Sequence, residues 1–237
     1  MEQNLLKAAE SRAEMNYPSD FHQNFSDFAG DFHAAQTVFA EQISRVAPLS
    51  KAEKRAFESV DRRVFIPQGF EKFLYSLDAL PIAANQWISS PVTIAKMTSA
   101  LSLANADSVL EIGCGSGYQA AILAKITRRV FTIERIERLL TEARARFKAL
   151  NLTNIHTRFA DGAEGWANYA PFDRVLISCE TASVPAKLLD QLAIGGVLVT
   201  PIAGEIARFT KDNRGGFKER RVDSCAFVPM INGVERL

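Results

Sequence analysis

Cysteine is scarce in this 237-residue chain, and the three present, Cys114, Cys179 and Cys225, lie far apart without CxxC spacing. An odd, scattered set of thiols excludes a disulfide framework and a thiolate zinc site, and the expected compartment is a reducing cytoplasm. Histidine is as sparse. None of His22, His33 and His156 has a ligand partner three or four residues away, so no metal is expected. Neither sign of charge dominates: 28 Lys and Arg stand against 27 Asp and Glu, a net charge of +1. That balance argues against a polybasic nucleic-acid binder and an acidic solvating chain. Long apolar runs are missing too. The longest uncharged stretch, residues 79–95, holds Pro81, Asn85, Gln86 and Pro91. A membrane helix needs ~20 predominantly apolar residues, so no membrane association is expected. The opening MEQNLLKAAESRAEM has acids and no apolar centre, and no secretory signal is read there.

What is present is average for a soluble globular protein, 47% hydrophobic and 23% charged. A chain of this length buries roughly 70–75% of its unfolded surface, enough for a core without metal or disulfide. No linker, repeat or low-complexity tract interrupts it, so residues 1–237 are read as one domain. Within it, residues 1–33 form a peripheral arm, 34–106 a helical region, and 107–237 an α/β core.

Periodicity gives a helix from Ala34. A second covers residues 51–60, opened by the capping box Ser50 and Glu53. A third starts at Ser90-Pro91, where proline lacks only an N–H that would be orphaned anyway. From residue 107 strands alternate with helices. The strands are placed at 108–112, 129–133, 155–159, 174–178 and 197–201. The helix after the second strand is the plainest, with Leu139, Leu140, Ala143 and Phe147 on one face. The rhythm predicts a mostly parallel sheet covered by helices on both faces. The tail offers strand-like segments at 206–209 and 225–228 around a turn-rich KDNRGGFKERR. That stretch carries a local basic excess, read as a solvated face.

EIGCGSGY, residues 111–118, sits at the first strand-to-helix junction. Its glycines, Gly113, Gly115 and Gly117, permit a sharp turn and close approach of a ligand to the backbone, with free N–H groups of a helix behind. A P-loop would need Gly-Lys-Ser/Thr, which is absent. The dinucleotide pattern is incomplete, with Tyr118 or Ala120 at the third glycine, but Ala is tolerated there and a dinucleotide stays open. Glu111 on the entering strand disfavours phosphate and suits an ammonium group, as S-adenosylmethionine carries. Glu134 ends the second strand, where an acid takes ribose hydroxyls in nucleoside-binding α/β folds, and Asp161-Gly162 follows the third strand at the ligand edge.

The chain resembles the protein-L-isoaspartate O-methyltransferase family. The likeness runs through EIGCGSGYQAAILA, VDRRVFIP, LPIAANQWISSP, ADGAEGWANYAPFDRVLIS, VPAKLLDQLAIGGVLVTPIAG and FVPM, roughly residues 35–233. The resemblance implies a Rossmann-like class I methyltransferase fold with an antiparallel strand near the C-terminus. It implies S-adenosyl-L-methionine as methyl donor, leaving S-adenosyl-L-homocysteine. It also implies methyl esterification of the free carboxyl of L-isoaspartyl residues in damaged proteins and peptides, whose ester closes to a succinimide. By position, Ser89 matches the active-site serine. The expected cofactor-binding set is Glu111, Gly113, Cys114, Gly115, Gly117, Glu134, Arg135, Asp161 and Gly162. The family's usual glycines before Gln86 are here Ala83-Ala84-Asn85, its usual Thr is Trp87, and residues 1–33 have no clear counterpart. Two alternatives stay open: a methyltransferase for another carboxyl acceptor, and a non-catalytic S-adenosylmethionine-binding module. The expected assembly is a monomer or weak homo-oligomer, without nucleic acid.

Overall fold

A computed structural model describes residues 31–236, so the arm, save for its last three residues, and His22 lie outside the described residues. The first element among the described residues is α1 (Phe32–Val46), two residues ahead of the expected start because Asp31 caps it, accepting from the Ala34 N–H at 3.0 Å. Next is α2 (Lys51–Ser59), opened by the expected capping box: Glu53 N–H donates to Ser50 Oγ and Ser50 N–H to Glu53 Oε2. A short hairpin of β1 (Leu80–Ile82) and β2 (Gln86–Ile88) leads into α3 (Pro91–Leu101), capped by Ser90.

The α/β part runs β3 (Ser108–Ile112), α4 (Tyr118–Ala124), β4 (Arg129–Glu134), α5 (Glu137–Ala149), β5 (Ile155–Phe159), β6 (Phe172–Ile177), α6 (Ala186–Asp190), β7 (Leu192–Ile202), β8 (Glu205–Lys211) and β9 (Phe217–Ser224). These strands form one sheet in the order β5-β4-β3-β6-β7-β8-β9. The first five are parallel, and β8 and β9 follow as an antiparallel pair. The chain builds outward from β3 to β5, then returns to lay β6 on the other side of β3. That reversal opens a crevice at the carboxyl ends of the central strands, where α/β sheets bind ligands.

Strand alternation sorts the core into two layers. Val109 and Val130 pack with side chains of α1 to α5, including Phe39, Phe57, Met97, Ile122 and Phe147. Leu110, Ile112, Phe131 and Ile133 point the other way, with Val175, Leu198 and Leu188 of α6. At the amino edge Asp173 ties two strands together: its Oδ2 accepts from the N–H groups of Asp107 and Ser108 at 2.9 and 3.0 Å. The Asp of the Pro-Phe-Asp-Arg piece is therefore a strap far from the crevice.

The tail differs from its expected pattern. The turn is confined to residues 212–216, and FKERRVDS becomes β9, while 225–228 is irregular, with one bridge between Glu180 and Pro229 nearby. An exposed edge strand of charged residues has no apolar alternation to read; its partner β8 imposes the register.

Candidate active site

The glycine loop is built on the ends of β3 and β4. The N–H groups of Gly113 and Cys114 both donate to the Ile133 carbonyl, at 2.9 and 3.2 Å. Gly115 has φ +54, and a side chain there would meet only open space, so its backbone is approachable from the crevice. Gly117 serves packing instead: a Cβ would lie 2.7 Å from the Phe147 ring.

Glu134, at the end of β4, clasps this loop. Its Oε2 accepts from Gly115 N–H at 2.8 Å, and its Oε1 from Arg135 and Ile136 N–H at 2.9 and 3.0 Å. Burial holds its carboxyl above the usual range, against the opposing pull of those three donors. Glu111 is one strand over, fully buried and hydrogen-bonded by the Thr132 hydroxyl at 2.5 Å, its Oε1 without a partner among the described residues. Burial pushes its pKa up to about 8, with neighbouring Glu134 adding to the rise. Burial first, then both acids, also keep the Cys114 thiol protonated.

One crevice gathers most of the expected residues. It encloses about 970 Å³, its open mouth included, and Ser89, Gly113, Cys114, Gly115, Glu134, Arg135 and Gly162 all lie on its wall. Three do not. Glu111 shares β3 with the glycine loop but faces into the layer under the helices, so it stands as a buried neutral acid rather than an ammonium partner on the wall. Gly117 packs behind the loop. Asp161 is turned to the protein: Oδ1 accepts from Ala163 N–H at 2.9 Å and Oδ2 from Gly233 N–H at 2.6 Å. Gly162 owes its place to crowding, since a Cβ would sit 2.3 Å from Ile112 Cγ2.

Ser89 reaches the wall from between β2 and α3, beside Gln86, Trp87 and Ile88. Ser90 has the capping duty, accepting from Val92 N–H at 3.2 Å and donating to the Leu77 carbonyl at 2.6 Å. The tail supplies wall that the sequence reading missed, namely Phe227 to Ile231. Its signal was the FVPM match, read as a strand. Beyond it, Arg135 Nε donates to the Gly233 carbonyl at 3.1 Å and Glu235 N–H to the Arg135 carbonyl at 2.7 Å. Among the described residues no group of three or more His, Cys, Asp or Glu could hold a metal, and no helix is long and apolar enough to cross a membrane.

A parallel sheet reversing at β3, a glycine loop clasped by the acid ending the next strand, and an antiparallel pair closing the sheet define a class I methyltransferase fold. The fold is shared with a solved protein-L-isoaspartate O-methyltransferase (TM-score 0.76, 19% identity, 84% of this chain and 67% of that one). It is shared too with a putative enzyme of that name from Plasmodium falciparum, solved with S-adenosyl-L-homocysteine (TM-score 0.72, 19% identity, 83% and 98%). The profile of the protein-L-isoaspartate(D-aspartate) O-methyltransferase family matches residues 34–235, and the chain belongs to that family. The Helicobacter pylori (strain G27) protein-L-isoaspartate O-methyltransferase is 49% identical over 202 residues, 84% of this chain and 97% of its own. The Caulobacter vibrioides (strain NA1000 / CB15N) protein of the same name is 44% identical over 186 residues, 77% and 84%.

Proposed function

We propose that the protein uses S-adenosyl-L-methionine to methylate the free carboxyl of L-isoaspartyl residues in damaged proteins and peptides, a repair reaction of the cytoplasm. The observation that carries this reading is the meeting, in one crevice of a chain of this family, of the Glu134-clasped glycine loop with the Ser89 end of α3. The bound donor supplies an electrophilic methyl group on a sulfonium. Gly113, Gly115, Glu134 and Gly162 would hold it, and the open space over Gly115 fits a ligand lying against the backbone.

The acceptor asks little of the protein. A carboxyl with a reference pKa near 4 is already ionised at pH 7, so no general base is needed. The crevice wall matches that demand: among the described residues it carries neither His nor Lys. What remains is to orient the anion and exclude water, and orientation alone can contribute several kcal/mol. Ser89 donates its hydroxyl to one acceptor oxygen, and the amino end of α3 favours the negative charge. The test is labelled methyl transfer to an isoaspartyl peptide beside its aspartyl twin. Transfer to the first and not the second is expected; equal transfer to both, or to neither, rejects the assignment.

A further inference from the structure

Arg62 stands in the loop after α2 with none of its surface exposed. Its hydrogen-bond acceptors are carbonyl oxygens. One terminal nitrogen, Nη1, donates to Leu74 at 2.9 Å and to Ser76 at 2.8 Å, while Nε and Nη2 are buried without partners among the described residues. The guanidinium lies over two aromatic rings, 5.1 Å from the centroid of Phe39 and 5.7 Å from that of Tyr118. Burial lowers its pKa only to about 10, so a full charge is held inside the protein at neutral pH. A buried charge half satisfied by carbonyls is a costly way to fill space, and an apolar side chain of the same volume would often serve stability as well. Its position shows what it gains.

The two carbonyls belong to the segment 74–78, which leads into the β1–β2 hairpin. The next carbonyl along, that of Leu77, accepts from the Ser90 hydroxyl at 2.6 Å, and Ser90 caps the helix whose first flank is Ser89. The Ser76 hydroxyl donates to Asp78 at 2.5 Å and stiffens the same segment. On its other side Arg62 backs Tyr118, which is on the crevice wall beside the glycine loop and packs on Phe65 at 5.3 Å. One buried cation thus touches the supports of both the acceptor wall and the loop opposite. We propose that Arg62 is a positioning residue for the acceptor, fixing through residues 74–77 and Ser90 where the Ser89 hydroxyl stands relative to the glycine loop. The claim rests on the acceptor reading given above.

Arg62→Lys, Ser90→Ala and their double variant test it in the full chain. Each single change should lower kcat/KM for an isoaspartyl peptide about tenfold, as loss of orientation does. Calorimetric affinity for S-adenosyl-L-homocysteine should stay within about twofold, because neither Arg62 nor Ser90 lies on the crevice wall, Lys keeps a cation behind Tyr118, and Tyr118 keeps its packing on Phe65. The double variant should be no worse than the poorer single one, since both cut the same chain of contacts. Hydrogen exchange should quicken over residues 74–90 and not over 108–134 in either single variant. A residue that merely stabilises the fold would lower donor affinity and peptide turnover together. That outcome, unchanged peptide kinetics, or multiplying effects in the double variant overturns the proposal. Should Arg62→Lys fail to fold, Ser90→Ala decides alone: retained kcat/KM there breaks the chain. If the wild-type protein ignores isoaspartyl peptide, the functional reading falls. The exchange measurement then judges the positioning claim by itself, with unchanged exchange at 74–90 counting against it.

Discussion

The Ser90 hydroxyl is committed to the protein on both sides, to Val92 N–H and to the Leu77 carbonyl, whereas Ser89, one residue earlier, faces the crevice. Ser89→Ala should therefore leave α3 capped and donor affinity intact. Its loss is confined to one hydrogen bond onto a charged acceptor, worth about 1.5–3 kcal/mol, or roughly 10–150-fold in kcat/KM. Steady-state kinetics with isoaspartyl peptide measure it, and full turnover removes Ser89 from the mechanism. Glu111 belongs to another kind of measurement. Its folded pKa of about 8 stands above the 4.5 of an unperturbed glutamate, so between those values the folded state binds the extra proton. Stability then falls as pH rises through that window, by a few kcal/mol in all. Glu111→Gln removes the titration. Urea unfolding at pH 5 and pH 8.5 should show the wild-type protein losing more stability over that interval than the variant; parallel losses would mean Glu111 ionises freely. The two residues also mark how far the site was legible. Gly113, Gly115 and Glu134 could be read because backbone geometry and strand ends dictate them. Glu111 and Asp161 could not, because which way a strand-end carboxylate turns depends on neighbours such as Thr132 and Gly233 that no local pattern announces.

At the scale of elements, those that bury one face followed the sequence closely. Leu139, Leu140, Ala143 and Phe147 bury the face of α5 that their spacing marks, and Ser50 with Glu53 opens α2 as their side chains dictate. Elements defined by pairing alone escaped. The β1–β2 hairpin leaves no pattern to read, because Pro81 and small residues break any alternation over its three-residue strands. Its turn places Ala84 at φ +57 and Asn85 at φ +53. Both left-handed positions are the central pair of the turn that Gln86 N–H closes on the Ala83 carbonyl at 3.2 Å, and Ala is the poorer occupant, at about 1–2 kcal/mol in that region. Ala84→Gly relieves this at some cost in unfolded-chain entropy. The net gain should be about 0.5–1 kcal/mol, a rise of roughly 1–4 °C in the melting temperature of a chain this size. A lower melting temperature in a calorimetric scan would show that Ala84 holds the turn through contacts of its methyl group.

Seen whole, the molecule closes its own crevice with its last residues. After β9 the chain runs back across the carboxyl edge of the sheet. Glu180, after β6, exchanges backbone hydrogen bonds with Val228 and Met230 at 2.8 and 2.7 Å. Phe227 to Ile231 then form wall, Gly233 is held by Asp161 and Arg135, and the Glu235 carbonyl accepts from Glu137 N–H at 3.0 Å. Asp161 and Arg135, both assigned to the donor from sequence, thus hold this segment in place; Arg135 also lies on the crevice wall itself, whereas Asp161 reaches the crevice through the segment. The segment is irregular, and Ile231 and Val234 are each about half exposed, at 51% and 47%. Phe227 and Met230 pack on the two core layers but Ile231 and Val234 join neither, so the stretch past Met230 belongs to the part of a fold that opens locally at low cost. A chain ending at Met230 keeps the sheet and the Glu180 pairing but loses the Gly233 and Glu235 clasps. Its melting temperature should change little, while S-adenosyl-L-homocysteine should leave about tenfold faster in stopped-flow displacement, as expected where a covering segment governs release. Equal dissociation rates in the two proteins would mean that Asp161 and Arg135 serve the fold alone, and that the donor is retained by the glycine loop and Glu134 without help from the tail.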